Sequence, residues 1–409
     1  MEPQGIERYA PLVGEERVVE IVRAARPLLG LRVLHISSTF HGGGVAGMLR
    51  TLIPLMCDVG LDADWSLLYG TPDLFGITKS LHNALQGEGI QLSEEDFELY
   101  LNINAFFARH TPLFHDVVVV HDPQPLPMIR YVKKGKPWVW RCHIDLSGPD
   151  EGVWERLKAF ALRYDAGVIS SEAFRKPDLP LPTYVIPPAI DPFSDLNREL
   201  SQEAIDRKLA EYGLSSDKPL ILQVSRFDKW KDPLGVLEVF RRVRKEVDAQ
   251  LVLLGNMAAD DPEGPQIFKE VSARAEGLPD VHLITATDEL LVNALQRAAS
   301  VVLQLSLREG FGLTVSEALW KGTPVVATNV GGIPLQILDG KTGFLVSPRD
   351  YDKAAERVVQ ILRDPDLGKE LGEAGRNHVR ENFLITRLLR DWLNLLVELC
   401  DRPWLSDLR

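Results

Sequence analysis

Two carboxylates, Glu309 and Glu317, bracket a glycine turn in the stretch Ser306-Leu-Arg-Glu-Gly-Phe-Gly-Leu-Thr-Val-Ser-Glu-Ala-Leu-Trp-Lys-Gly322. A short apolar run, Val301-Val-Leu-Gln-Leu305, precedes it, and Thr323-Pro-Val-Val-Ala327 follows; both read as buried parallel strands. Between them the pattern predicts a short helix from about Gly312 to Trp320, closed by Gly322. Glu309 then sits at a strand's C-terminal end, and Glu317 about one and a half turns inside the helix. The N–H groups of Gly312, Leu313 and Thr314 have no partner within such a helix and favour an anion. With Gly310 and Phe311 filling the turn, one element offers a phosphate seat and two acids that accept from hydroxyls. That pairing suits a sugar nucleotide. A lone Glu in such a loop is ordinarily a solvated surface residue; the pair, the glycines and the flanking strands together argue otherwise.

A phosphate seat in a chain of net charge −12 needs local cations. Ser225-Arg-Phe-Asp-Lys-Trp-Lys-Asp232 supplies them at the end of another strand, Leu220–Ser225. Arg226 and Lys231 are placed to clamp a diphosphate and neutralise a leaving group, while Lys229 reads as a solvated neighbour. This loop is expected two strands away from Glu309. Gly255 and Asn256 end a further strand where a nucleobase can approach the backbone.

The first half carries Gly42, Gly44 and Gly47 in a GxGxxG spacing between a strand and a helix. That fingerprint is weak alone; a close-approach loop facing a phosphate or sugar through Gly43 and Gly44 is the simpler meaning. His121-Asp122 with Gln124, and His143 with Asp145, follow buried strands and put polar groups at one sheet edge. His82 and Asn83 lie on a predicted helix over 73–87. His82, Asn83, Asp122, Gln124 and Asp145 are the acceptor-side candidates. Cys142 beside His143 is no catalytic pair, because adjacent strand residues face opposite ways. Asp260-Asp261 lacks histidine partners, so no metal site is expected. Trp138, Trp140 and Trp320 read as core.

The elements that must hold these groups alternate strand and helix through the chain. An extended, proline-rich connector at Tyr184–Pro192 divides them. The expectation is an α/β protein of two Rossmann-like doubly wound domains facing across a cleft, residues 1–190 and 191–383. The C-terminal helix, about 386–399, is apolar on one face (Leu388, Leu389, Trp392, Leu395, Leu396) and is expected to cross back, so that 384–409 joins the first domain. Charged residues make up 25% of the 409 and include no long basic run, which argues against nucleic-acid or anionic-membrane partners. Three scattered cysteines form no framework, and no apolar leader or membrane span is read, which together point to a cytoplasmic location.

The Glu309-x7-Glu317 pair, with Arg226 and Lys231 upstream, resembles the retaining glycosyltransferases of the two-Rossmann GT-B group, family 4. The stretches Thr78–Gly87, Val120–Pro125, Trp138–Ser147, Ser225–Lys231 and Arg308–Gly322 narrow the resemblance to the trehalose glycosyltransferring synthases. It covers nearly the whole chain and shows no departure at the motif positions. It implies that Arg226 and Lys231 hold the donor diphosphate, Glu309 and its glycine neighbours meet the transferred sugar, Glu317 binds the ribose, and His143 lies over the donor glucose. It also implies an ADP-, UDP- or GDP-glucose donor, free glucose as acceptor, and α,α-trehalose as product. No tightly bound cofactor is expected; Mg2+ travelling with the nucleotide, and a homodimer, are both compatible with it. The alternatives are a family-4 enzyme with another small acceptor, giving a sucrose-like or glycosyl-glycerol product; an NAD(P)-dependent dehydrogenase read from GxGxxG; and a non-enzymatic sugar-binding protein. The dehydrogenase leaves Arg226, Lys231, Glu309 and Glu317 without a role.

Overall fold

The structure, a computed structural model, describes residues 5–40, 43–90, 92–215, 217–255 and 263–400. Gly42, Asn256, Asp260 and Asp261 therefore lie outside the described residues. The chain forms two compact units: one holds the residues up to Ala189 together with those from Ile385 onward, the other Ile190–Leu384.

In the first unit the order is α1 (Ala10–Val13), α2 (Glu15–Ala25), β1 (Arg32–Ser37), α3 (Gly43–Asp58), β2 (Asp62–Leu67), α4 (Pro72–Leu85), α5 (Glu94–His110), β3 (Val117–His121), β4 (Trp138–Arg141), α6 (Glu151–Ala161), β5 (Ala166–Ile169) and β6 (Thr183–Val185). The strands form one parallel sheet in the order β2-β1-β3-β4-β5-β6. Its alternate residues feed two cores. Val33, Val117, Val119 and Val139 pack with Ile21, Leu49 and Leu52, whereas Leu34, Val118, Val120 and Trp140 pack with Leu81, Tyr100 and Trp154. Burial on both faces explains why the strands read as unbroken apolar runs.

In the second unit come α7 (Gln202–Glu211), β7 (Leu220–Val224), α8 (Pro233–Val243), β8 (Gln250–Gly255), α9 (Gly264–Ala275), β9 (Val281–Thr285), α10 (Glu289–Ala298), β10 (Val301–Gln304), α11 (Leu313–Trp320), β11 (Val325–Thr328), α12 (Ile333–Gln336), β12 (Phe344–Val346), α13 (Tyr351–Arg363) and α14 (Pro365–Asn382). The sheet runs β12-β11-β10-β7-β8-β9. A bridge between Ile190 and Leu384 closes the unit where the chain enters and leaves it.

The last helix, α15 (Ile385–Cys400), buries Ile385, Leu388, Leu389, Trp392, Leu395, Leu396 and Leu399 in the first unit's core beside Ile21 and Leu49. The spacing of three and four residues puts all of them on one face. Arg387 on this helix donates to the carbonyls of Pro187 and Pro188 (2.8 and 2.9 Å), which pins the connector's start.

Three details differ from expectation. The loop after β7 is not two strands from Glu309: β7 pairs directly with β10, Leu222 opposite Val302. After β9 the chain crosses back to the inner side of β7, the reversal of strand order at which open α/β sheets bind ligands. Gly43, Gly44 and Gly47 lie in α3, not in a loop before it, because the helix begins at Gly43. Tyr184 and Val185, read as the connector's start, belong to the edge strand β6; the connector's own prolines begin at Pro187, after the ladder is complete.

Asn293 on α10 is fully buried and donates to the carbonyls of Asp195 (2.9 Å) and Arg198 (2.8 Å), fixing the segment that leads into α7. Asn293→Ala is expected to cost about 1–3 kcal/mol, since Asp195 O loses this donor and Arg297 Nε its acceptor, while Arg198 O keeps Arg297 Nη2. Chemical denaturation measures it; a midpoint unchanged from the parent would show that water replaces the amide. Among the described residues no helix is long and apolar enough to cross a membrane.

Candidate active site

The second unit builds its site at the junction of β7 and β10. After Val224 the chain turns through Ser225-Arg-Phe-Asp228. Buried Asp228 caps the next turn by accepting from Trp230 N (2.9 Å), and Arg226 Nη2 lies 3.4 Å from the same carboxylate. Lys231 ends that turn; its carbonyl accepts from Gln223 Nε2 (2.9 Å), and Trp230 O accepts from Leu307 N (2.7 Å), which ties this loop to the one after β10. Lys231 Nζ consequently reaches Glu309 Oε2 at 2.5 Å. The same oxygen accepts from Ser306 Oγ (3.0 Å) and Gln304 Nε2 (3.2 Å), while Thr314 Oγ1 donates to Gln304 Oε1 (3.1 Å). Oε1 takes none of these three contacts. Glu309 is 7% exposed, so a carboxylate this deep requires its cation and its hydroxyl.

The turn that carries Glu309 rests on a second glycine loop, Gly331-Gly332. A Cβ on Gly331 would sit 1.6 Å from the Glu309 carbonyl oxygen, and one on Gly332 2.8 Å from that of Gly310. Gln336 Nε2 donates to Phe311 O, and Ser316 Oγ donates to Gln336 Oε1 (2.6 Å). Phe311 itself is buried, its ring 5.5 Å from that of Phe383, so it packs the turn. Gly312 caps α11 at φ 81° with no side-chain cap, followed by half-buried Leu313 and Thr314. Glu317 is buried on α11; burial raises its carboxyl above the usual range, against the pull of Lys321 and a hydrogen bond with Gln296. Burial likewise takes the Lys321 ammonium down to about 7. Gly255 has a reason independent of any ligand: a Cβ there would meet the Phe227 ring at 2.6 Å and Ser225 O at 2.7 Å, in the loop that carries Arg226.

The first unit gathers its polar groups where β1, β3 and β4 end. Asp122 adopts φ 63°, a region that Asp tolerates better than most side chains. Its N–H donates to Arg141 O (2.8 Å), its Oδ1 accepts from His143 N (2.7 Å), and its carbonyl accepts from Trp140 Nε1 (3.2 Å). Offered by the sequence as an acceptor-side ligand, Asp122 thus holds the backbone of His143. His143 Nε2 lies 3.0 Å from His121 Nδ1, and His121 Nε2 lies 3.0 Å from His35 Nδ1. Asp145 is buried and accepts from Ser147 N (2.8 Å). Gln124 accepts at its carbonyl from Asn104 Nδ2 (3.0 Å), while its Oε1 is buried with no partner among the described residues. His82 is half-buried and Asn83 buried on the last turn of α4; Ala84 O beside them accepts from Asp150 N (2.7 Å). Gly43 and Gly44 are exposed at the start of α3. Buried Cys142 has its thiol pushed up by burial, in keeping with a structural residue.

His35, Arg141, Gln304, Ser306, Gln336 and the Gly331-Gly332 loop escaped the sequence reading. His35 and Gln304 carried a signal: each is a polar residue within a strand buried on both faces.

Burial raises the Asp122 carboxyl to about 6, against the His143 N–H and Arg141, which lower it. Between its ordinary value near 3.8 and about 6, the folded state holds a proton that the unfolded chain has released. This group's contribution is present at the acid end and is lost as pH rises through about 6. Asp122→Asn keeps the acceptor for His143 N and removes the titration. Its stability relative to the parent is expected to rise from pH 4.5 to 7.5, read as urea midpoints; a difference constant across that range would overturn the assignment.

Comparison with known proteins follows the same division. Residues 35–176 match a family described as trehalose synthase, N-terminal domain, and residues 204–378 match glycosyl transferases group 1. The chain is 44% identical over 398 residues to a trehalose synthase of Pyrococcus horikoshii, covering 96% of this chain and 95% of that one. It is 30% identical over 464 residues to a trehalose phosphorylase of Grifola frondosa, covering 98% of this chain and 63% of the relative. A sucrose-phosphate synthase from Thermosynechococcus elongatus has a similar fold, with a TM-score of 0.72 at 20% identity over 90% of this chain and 99% of that one.

Proposed function

Since the chain belongs to the trehalose synthase family of GT-B glycosyltransferases, we propose that it moves glucose from a nucleoside-diphosphate glucose to the anomeric hydroxyl of free glucose. The products are α,α-trehalose and the nucleoside diphosphate, and the reaction runs in both directions. The observation that carries this reading is the Lys231–Glu309 pair at the β7–β10 junction, a cation and a carboxylate at the strand ends where a nucleotide sugar binds.

Arg226 and Lys231 bind the diphosphate and stabilise the charge that grows on it as the glycosidic bond breaks; Mg2+ travels with the nucleotide where present. Glu309 positions the donor glucose and offsets the positive charge at its anomeric carbon. Glu317 accepts from the ribose. The path is front-face: the departing phosphate oxygen takes the acceptor's proton as the new bond forms on the same side, which preserves the configuration. Double displacement would instead require a carboxylate close under the anomeric carbon. His143 contacts the donor glucose, and His82, Asn83, Gln124 and Asp145 form the acceptor side, with Asp122 setting His143 in place.

Incubation with glucose and each of ADP-, UDP- and GDP-glucose, followed by chromatography and anomeric-proton NMR, tests this. A non-reducing α,α-linked disaccharide with equimolar nucleoside diphosphate is expected. A disaccharide on another acceptor, or breakdown of trehalose by phosphate but not by a nucleoside diphosphate, would overturn it.

A further inference from the structure

His35 on β1, His121 on β3 and His143 just after β4 lie in a row across three adjacent strands. Each consecutive pair is joined by ring nitrogens 3.0 Å apart. The rings are stacked, with centroids 5.3 and 5.4 Å apart. His35 and His121 are fully buried, and the Trp392 ring closes the inner end at 5.7 Å from His35. His35 Nε2 is buried with no partner among the described residues. Burial holds all three rings below the ordinary histidine range, and Arg141 lowers His121 and His143 further.

A neutral imidazole carries one N–H, so each bond in the row needs one donor and one acceptor. If His121 donates from Nδ1 to His143 Nε2, its Nε2 must accept from His35 Nδ1. If it donates from Nε2 to His35, its Nδ1 must accept from His143 Nε2. No neutral arrangement mixes the two, and the three tautomers switch together. The second arrangement forces the His35 proton onto Nε2, where it has no acceptor among the described residues; buried N–H groups without one are rare. The first leaves no N–H unmatched within the core and puts the last proton on His143 Nδ1.

We propose that His35, acting through His121, fixes His143 as the Nδ1–H tautomer, so that half-buried His143 presents a donor to a sugar oxygen. His35 and His121 are positioning residues: neither needs to touch substrate. The consequence for turnover rests on the reading of His143 as the residue over the donor glucose. The tautomer itself rests only on the row.

Long-range 1H–15N correlation on the full chain labelled at its nine histidines reads the tautomer directly at pH 7.5, with His143→Gln identifying the His143 signals. The expected pattern has a protonated Nδ1 and an unprotonated Nε2. In His35→Leu the pattern should change, while His35→Gln, whose amide can donate to His121 Nε2, should restore it. In transfer assays kcat should fall at least about 10-fold in His35→Leu with little change in KM, and recover in His35→Gln. Finding Nε2–H on His143 in the parent protein, or a pattern indifferent to His35→Leu in a chain that melts normally, would overturn the proposal. The parent spectrum decides even if the leucine variant fails to fold. A parent enzyme that makes no trehalose would instead count against the function and leave the tautomer result standing.

Discussion

Glu309→Ala is expected to lower kcat for glucose transfer by about 10²–10³-fold or more, the scale of one electrostatic group aimed at developing charge. The KM for nucleotide-glucose should move far less. The carboxylate's Oε2 is already occupied by Lys231, Ser306 and Gln304, so the substitution removes the centre of a network as well as one acid. Lys231→Ala should be comparably damaging, because it removes the proposed diphosphate ligand and leaves Glu309 buried without its cation. The double variant is then the informative one. Residues that act as a unit lose their effect once, so the paired loss should fall well short of the product of the single losses. Steady-state kinetics of the three variants measures this; a near-normal kcat for Glu309→Ala, or strict additivity, would show that the pair does not act at the reacting sugar.

Gly331→Ala is the second large effect, although this residue carries no chemistry. Its φ of 56° already disfavours a side chain, at about 1–3 kcal/mol. A methyl group would also land 1.6 Å from the Glu309 carbonyl, where only backbone displacement can make room. Overpacking of that kind adds about 1–3 kcal/mol. A total loss of roughly 2–6 kcal/mol follows, with a drop in activity beyond the drop in stability, because the yielding backbone belongs to Glu309. Calorimetry and kinetics on one preparation separate the two. Wild-type Tm and kcat together would mean that the two loops have room to part.

Most of the architecture was legible because parallel strands covered on both faces are written as runs such as Val117–Val120 and Val301–Leu303, with glycine, proline and acidic punctuation between them. The order of the strands was not, since nothing local in Leu220–Val224 says that it pairs with β10. The same limit governed the site. Glu309 and Lys231 were found separately by residue type and by position at strand ends; their contact spans 78 residues and depends on the crossover after β9. His35 was hidden by its setting, a lone polar residue in Val33–Ile36 whose partner His121 comes from another strand and meets His143 in turn. Asp122 was found by its place at a strand end, but its link to His143 N was not, because that link arises from a backbone turn that composition does not reveal. The support beneath Glu309 is backbone against backbone at Gly331 and a side-chain amide on the Phe311 carbonyl at Gln336, and neither contact can be read from residue type alone.

The direct pairing of β7 with β10 divides the second unit's inheritance. The charge pair hangs from the two innermost strands, whose register is fixed by Ile221 against Val301 and Leu222 against Val302. Strands β8 and β9 lie outboard of that seam, along with the end of β8 at Gly255. That flank is laced to the seam: β8 pairs with β7 from Leu220 against Gln250 to Val224 against Leu254, and Gly255 leaves room for Ser225 O and the Phe227 ring, so a change at the end of β8 is felt in the loop that carries Arg226 and Lys231. The sheet carries the Lys231–Glu309 pair on its spine and braces that spine from the flank.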